Sequence, residues 1–259
     1  MLRFLRKTRR KLFKKRQFRK YLFYVMGEVF LIVMGIVIGV RLSNWNEVGK
    51  QRKLEAKLLA EIKNDLLDTK DELLVDLSSH RRAMYSGMII SNVLRKESSF
   101  HDSLYYHFSR CFNDRQLYPK SGGYESMKSY GVDIVSNDSI RKRIMDVYQL
   151  DLKRVVEFGQ ANPKYDIPLL LLPYQQTHFR LTDEVDRQRT MEGVALPVLF
   201  YDLALHSFID LQNDQLFLMD LQRSFSIRRQ KIGRHIASLK RIDALVTAID
   251  EELKRLNGS

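Results

Sequence analysis

Six histidines, His80, His101, His107, His178, His206 and His235, are the first places to look for chemistry. None belongs to an H-E-x-x-H or comparable local pair, in which two imidazoles one helical turn apart would face one ion. His101 and His107 are six residues apart, which turns them to different faces of a helix. No Walker loop, G-x-S-x-G elbow or G-x-G-x-x-G turn occurs. The single cysteine, Cys111, can form neither a disulfide within the chain nor a thiolate cage. Set between Phe108 and Phe112, it reads as a small buried hydrophobe. No metal or other cofactor is therefore expected. An enzyme would have to assemble its site from residues far apart in the chain, so the expectation is a protein that is not one.

Two other groups could still do chemistry or bind. Glu28 is the only ionisable residue in an apolar run, Tyr21 to Val40. Tyr124, Tyr130 and Tyr148 could line a small groove for a ligand or peptide. The simpler reading of the second region is a helix-turn-helix corner, with Gly131 ending one helix and Asn137 or Asp138 starting the next.

The elements that must position these groups begin with a membrane span. Tyr21 to Val40 is 20 residues, about 30 Å as a helix, which matches a hydrocarbon core. Residues 1–20 hold eleven Lys or Arg and no Asp or Glu. The rest of the chain carries 33 basic and 31 acidic residues, so the net charge of +13 belongs mostly to that tail. A basic block next to an apolar run marks topology and attraction to anionic lipid, not nucleic-acid binding. It puts the N-terminus in the cytoplasm and the chain beyond the span on the far side. Trp45, between two asparagines, suits the outer interface. A cleaved signal peptide is disfavoured, because no small-x-small site succeeds the run.

Gly35 and Gly39 form a G-x-x-x-G pair, a spacing that allows two helices to approach closely. At 3.6 residues per turn, Glu28 shares their face to within about 20°. Three readings of Glu28 stay open: polar glue between membrane helices, a group solvated near the inner interface by Arg19 or Lys20, and a proton or ion relay.

Beyond the span the pattern is helical throughout. Leu59, Ile62, Leu66, Leu73 and Leu77 make one stripe, with charges on the other faces. Leu218, Leu221, Phe225, Ile232, Leu239, Ile242, Val246, Ile249, Leu253 and Leu256 keep a 3,4 spacing that only Arg228 and His235 interrupt. A helix from Asn213 to Leu256 would be about 66 Å long. The first stripe, in antiparallel pairing, and a second copy of the same helix would satisfy the seam equally well. Between the two lie shorter helices: one from Ser79 to Arg95, one capped at Ser98 or Ser99, one from Tyr124 after a Gly122-Gly123 break, and one through Ile140, Ile144, Val147, Leu150 and Val155. Prolines at 163, 168 and 173 break up the next stretch, and 180–200 reads as a loop.

The fold class expected is all-α: a transmembrane helix continuous with a long stalk, a helical bundle, and a coiled-coil-like C-terminal helix. The divisions are a basic tail 1–20, a transmembrane helix 21–42 and an outer domain 43–259. The outer domain comprises a stalk 43–77, middle helices 78–212 and the long helix 213–257.

Two stretches resemble a known family. Lys20-Tyr21-Leu22 through Gly27-Glu28, the glycine-rich run, Asn44-Trp45-Asn46-Glu47 and Lys53-Leu54-Glu55 form the first. Tyr124 through Met127-Lys128-Ser129-Tyr130-Gly131 to Asn137-Asp138-Ser139-Ile140-Arg141 form the second. They resemble uncharacterised single-pass proteins, mainly of Bacteroidota, grouped as a domain of unknown function. Tyr130 departs from the small residue expected there, which implies a different packing of that corner. The resemblance implies a bacterial inner-membrane anchor with a helical periplasmic domain, and it supplies no activity. The functions expected are, in order, a non-enzymatic scaffold or accessory subunit, a sensor module signalling through a partner, and a hydrolase with a dispersed site. The partners expected are membrane lipid and either further copies of the chain or another membrane protein, with no nucleic acid.

Overall fold

A computed structural model describes residues 15–95, 99–160, 163–181 and 203–258. Eight α-helices account for most of these residues: α1 Lys15–Arg95, α2 Ser103–Phe112, α3 Gly122–Tyr130, α4 Asp138–Asp146, α5 Lys153–Gln160, α6 Ile167–His178, α7 Phe208–Asn213 and α8 Gln215–Asn257. Two short strands, β1 Phe179–Leu181 and β2 Leu203–Leu205, pair antiparallel with Arg180 opposite Ala204. The all-α expectation holds, apart from this one ladder. It forms at the edges of the stretch read as a loop; residues 182–202 lie outside the described ones. The basic tail lies outside them as far as residue 14.

The chain divides into two compact units, Met1–Leu54 and Glu55–Ser259. In the first unit, α1 carries an 18-residue window of mean hydropathy 2.3, none of it buried. Phe23, Phe30, Leu31 and Ile36 are each at least 61% exposed, so nothing described in the chain covers them. Water cannot solvate a continuous apolar cylinder of this length at low cost, whereas lipid can. The single helix therefore has the length and surface of one membrane-spanning segment.

The second unit is built on an antiparallel pair, α1 from Glu55 onward against α8. Lys63 Nζ contacts Asp250 Oδ1 at 2.6 Å, and Lys70 Nζ contacts Asp243 Oδ1 at 2.5 Å. The partners step by seven in opposite directions, as an antiparallel two-helix seam requires. One apolar cluster packs Leu59, Ile62, Leu66 and Leu73 of α1 against Ile242, Leu245 and Ile249 of α8, with Met127 and Ile144 closing over them. A second gathers Ile90 and Leu94 of α1 with Phe108, Phe217, Leu221 and Phe225. Each of these buried side chains contributes about 1.5–3 kcal/mol relative to exposure. Much of the seam read from the sequence is covered within one chain: Leu221, Phe225, Ile242 and Ile249 are buried, and Leu218, Leu239, Val246, Leu253 and Leu256 pack partly buried against the two clusters, while Leu245 takes the fully buried place expected for Val246.

Several boundaries differ from the sequence reading. The stalk does not end at Leu77 with a new helix at Ser79: α1 continues to Arg95. Ser78 Oγ donates to the Val75 carbonyl, one turn back, and so does not compete for the helix backbone. Gly87 sits inside α1 because the Phe225 ring occupies the space of a Cβ, with Cε1 only 2.4 Å from it. Helix α2 starts at Ser103, not at Ser98 or Ser99; the Ser103 amide donates to His101 Nδ1 at 3.1 Å. Gly122-Gly123 opens α3 instead of breaking the chain. Asn137, not Asp138, caps α4, its side chain accepting from the Ser139 and Ile140 amides.

A π-helical turn, Val147–Leu152, joins α4 to α5. It rotates the positions within and after it, so Asp151 and Leu152 turn inward while Leu150, expected on the apolar face, is 45% exposed. Asp166 caps α6, which includes Pro168 in its first turn and Pro173 in its interior, so these prolines do not break the stretch. The long C-terminal helix begins at Gln215, capped by Asp214.

Candidate functional site

Between the two apolar clusters the seam turns polar. Asp76 and His80 come from α1, Asp114 from the segment after α2, and Arg228, Lys231 and His235 from α8; all but Asp114 lie at 4% exposure or less, and the Asp114 side chain at 6%. The two α8 interruptions of the apolar pattern are the centre of this layer. Burying so many charges costs several kcal/mol per ion unless each finds partners. Most of them do.

Asp114 is the hub. Its Oδ1 lies 3.3 Å from His80 Nδ1 and 3.5 Å from an Arg228 terminal nitrogen, and its Oδ2 pairs with Lys231 Nζ. The other Arg228 terminal nitrogen donates to the carbonyls of Cys111, at 2.7 Å, and Asn113, at 2.6 Å. Those carbonyls terminate α2, so the guanidinium also caps that helix. Asp76 Oδ1 accepts from Arg115 Nε at 2.7 Å, which brings in a half-exposed arginine from the same loop. The His80 and His235 rings meet edge to face with centroids 5.2 Å apart.

The environment sets the charge states. Burial, reinforced by Arg228, His235 and Lys231, pulls the His80 imidazole down to about 3, so it is neutral near pH 7. Burial raises the Asp76 carboxyl, but His235 beside it and the Arg115 hydrogen bond and charge outweigh this and leave it below its ordinary value. Burial pushes the Cys111 thiol up to about 11, which makes it a poor nucleophile. Arg228 and Lys231 stand against Asp76 and Asp114, and Arg115 adds one positive charge at the rim.

Four buried polar atoms of this layer have no hydrogen-bond partner: Asp76 Oδ2, His80 Nε2, His235 Nε2 and Arg228 Nε. A small cavity of about 10 Å³ lies beside both histidines, with Arg115, Lys231 and Arg234 also on its wall. That is about one water molecule's worth of space, too little for an organic ligand. Among the described residues, no three of His, Cys, Asp and Glu are grouped to hold a metal ion.

The residues singled out from the sequence lie elsewhere. Glu28 is exposed on α1, and a Cβ added at Gly35 or Gly39 would meet nothing within 4 Å. Trp45 is 77% exposed. Tyr124 and Tyr148 are brought together as core: their rings stack at 4.5 Å and 4° among Leu66, Met127 and Ile144. The stack fills the space that a groove between these rings would need, and Tyr130 is on the surface, 63% exposed. Gln149 Nε2 donates to the Tyr124 hydroxyl at 2.7 Å, which satisfies it inside the core. Burial, with the charge of Asp65, pushes the Tyr148 phenol well above its ordinary value.

Of the polar layer, the sequence exposed only Arg228 and His235, as breaks in an apolar repeat. Asp76 and His80 sit one turn apart on α1, next to Leu73 and Leu77, and an inward-facing charge there was the available signal. Asp114 and Arg115 lie in an extended segment with no period, and nothing local marks them.

Residues 28–180 match the family of unknown function DUF6090. This is more than half of the chain, and the protein belongs to that family. The match covers most of the apolar helix, the stalk and helices α2 to α6, and stops before α7 and α8. No curated protein and no solved structure matches the chain.

Proposed function

We propose that this DUF6090 member is a non-enzymatic, single-pass membrane scaffold or accessory subunit that assembles through its membrane helix. It sits in a bacterial inner membrane with the basic tail in the cytoplasm and the helical unit in the periplasm. The observation that carries this reading is a contrast between the two long apolar surfaces. Most of the α8 seam finds cover inside the chain, whereas the face bearing Glu28, Gly35 and Gly39 has none among the described residues. A carboxyl group in hydrocarbon costs several kcal/mol unless it is paired, hydrated or neutral, and small residues beside it let a partner helix come close. The excess of Lys and Arg before the span supports the orientation.

Native mass spectrometry and crosslinking in mild detergent test the reading, with Glu28→Leu as the comparison. The wild-type chain is expected as an oligomer or with a co-purifying membrane protein, and Glu28→Leu to shift that distribution while inserting normally. A strictly monomeric wild-type chain that carries no partner would sink the proposal.

A further inference from the structure

His235 Nδ1 lies 2.8 Å from the Lys231 carbonyl oxygen. A carbonyl only accepts, so Nδ1 carries the hydrogen, and the neutral ring turns a bare Nε2 toward Asp76 Oδ2, 3.9 Å away. Neither atom has another partner, and both are buried. Two acceptors facing each other with no proton between them repel; one proton converts the contact into a charge-assisted hydrogen bond.

We propose that His235 is a proton-operated latch between α8 and α1. A proton from solvent adds to the Nε2 lone pair and forms one N–H bond, and that N–H then donates to Asp76 Oδ2. No other bond is made or broken. The cavity beside the ring, rimmed by Arg115 with its side chain 54% exposed, brings solvent close to the site.

The groups around the ring leave this proton one address. From α1 the facing groups are Asp76 and His80; from the segment after α2, Asp114 and Arg115; from α8 itself, Arg228, Lys231 and Arg234. The nearest part of α5 supplies only Val155, Val156 and Phe158. Lys231 is matched by Asp114, and Arg228 by Asp114 and two carbonyls. Arg115 occupies only the Oδ1 side of Asp76, so Oδ2 stays free for the imidazole. His80 does not compete, since its own proton affinity is pulled down to about 3. The latch is independent of whether the membrane helix assembles.

The test uses the full chain with ¹⁵N-labelled histidine in detergent micelles, read by long-range ¹⁵N–¹H spectra from pH about 8 to about 5, the range where imidazoles titrate. The His235 signal, identified by its loss in His235→Asn, should start as the Nδ1–H tautomer and gain a proton at Nε2 on acidification. Asp76→Asn should move the midpoint down by about one pH unit or more. A ring that begins as the Nε2–H tautomer, keeps a bare Nε2 throughout, or titrates unchanged in Asp76→Asn overturns the proposal. As a second measure, the thermal midpoint of the wild-type chain should rise relative to His235→Asn as the pH falls; a constant difference also overturns it. Because the two rings touch, the comparison is made in a His80→Asn background, which removes the His80 contribution from both chains.

Discussion

Gly123 rests on the backbone of the stalk at Ile62: a Cβ added to Gly123 would stand 2.6 Å from the Ile62 amide nitrogen and 2.8 Å from the Glu61 carbonyl carbon. The same glycine donates its amide to Asp65 Oδ2 at 2.7 Å, so α3 is held by contact and by hydrogen bond at one point. Helix backbone cannot step aside as a flexible side chain can. Gly123→Ala is therefore expected to cost about 1–3 kcal/mol or more. Gly122→Ala, whose Cβ would meet only Asp65 Oδ2 at 3.7 Å, is expected within about 0.5 kcal/mol of the parent. Thermal or denaturant unfolding of the two variants checks the contrast; equal destabilisation would contradict it.

Asp114 answers two buried cations at once. Asp114→Asn keeps the shape but leaves Lys231 and Arg228 without their carboxylate, and is expected to destabilise the second unit by about 3–5 kcal/mol. An apolar replacement of Asp114, Arg228 and Lys231 together is expected to cost less than the single change, because only the neutral carbonyls of Cys111 and Asn113, and no charge, are left without a partner. Denaturant unfolding of the single and triple variants separates the two cases.

His80 makes the fold sensitive to acid. Its folded value, about 3, lies below the ordinary 6.5, so between these values the unfolded chain binds a proton that the folded chain refuses. Stability is whole above that window and falls as the pH drops through it, by roughly 1.4 kcal/mol per pH unit. Measured in a His235→Asn background, lowering the pH from about 6.5 to about 5 should cost about 2 kcal/mol, and His80→Asn should remove most of that slope. Asp76, also held below its ordinary value, adds a further loss only under more acidic conditions.

Cys111 reports on opening of the second apolar cluster. The side chain is fully buried beside Gly87, and its thiol is pushed up to about 11. Maleimide labelling near pH 7 is expected to be negligible in the folded chain and complete after unfolding. Gly87→Ala, which would drive a Cβ into the Phe225 ring and the Cys111 sulfur, should raise the labelling rate.

The long helices were legible because they carry their own period. Leu221, Phe225, Ile242 and Ile249 mark α8 without reference to any other part of the chain, and Leu59, Ile62 and Leu66 do the same for the stalk. The stop signals were less informative. Gly87, Ser79 and Gly122 each resemble a helix boundary locally, yet each sits within a helix or at its start. For Gly87 the reason is a neighbour distant in sequence, the Phe225 ring. The polar layer was visible only from one side. Arg228 and His235 stood out against an apolar repeat, but their carboxylates, Asp114 and Asp76, are more than 100 positions away, and Asp114 lies in a segment without period. Tyr124 and Tyr148 showed aromatic content that suits a groove or a core equally, and only their mutual stacking decides between them.

Lys63–Asp250 and Lys70–Asp243 repeat every seven residues, so a slide of α8 by one heptad would set Lys70 opposite Asp250 and rebuild half of that pattern. Surface ion pairs and a leucine seam form a ratchet with many equivalent notches. The Arg228 layer is the pawl. After such a slide the guanidinium would lose Asp114 and the two carbonyls that end α2, and His235 would lose Asp76. The charges that interrupt the apolar repeat thus pick out a single alignment of two helices that could otherwise pair at several.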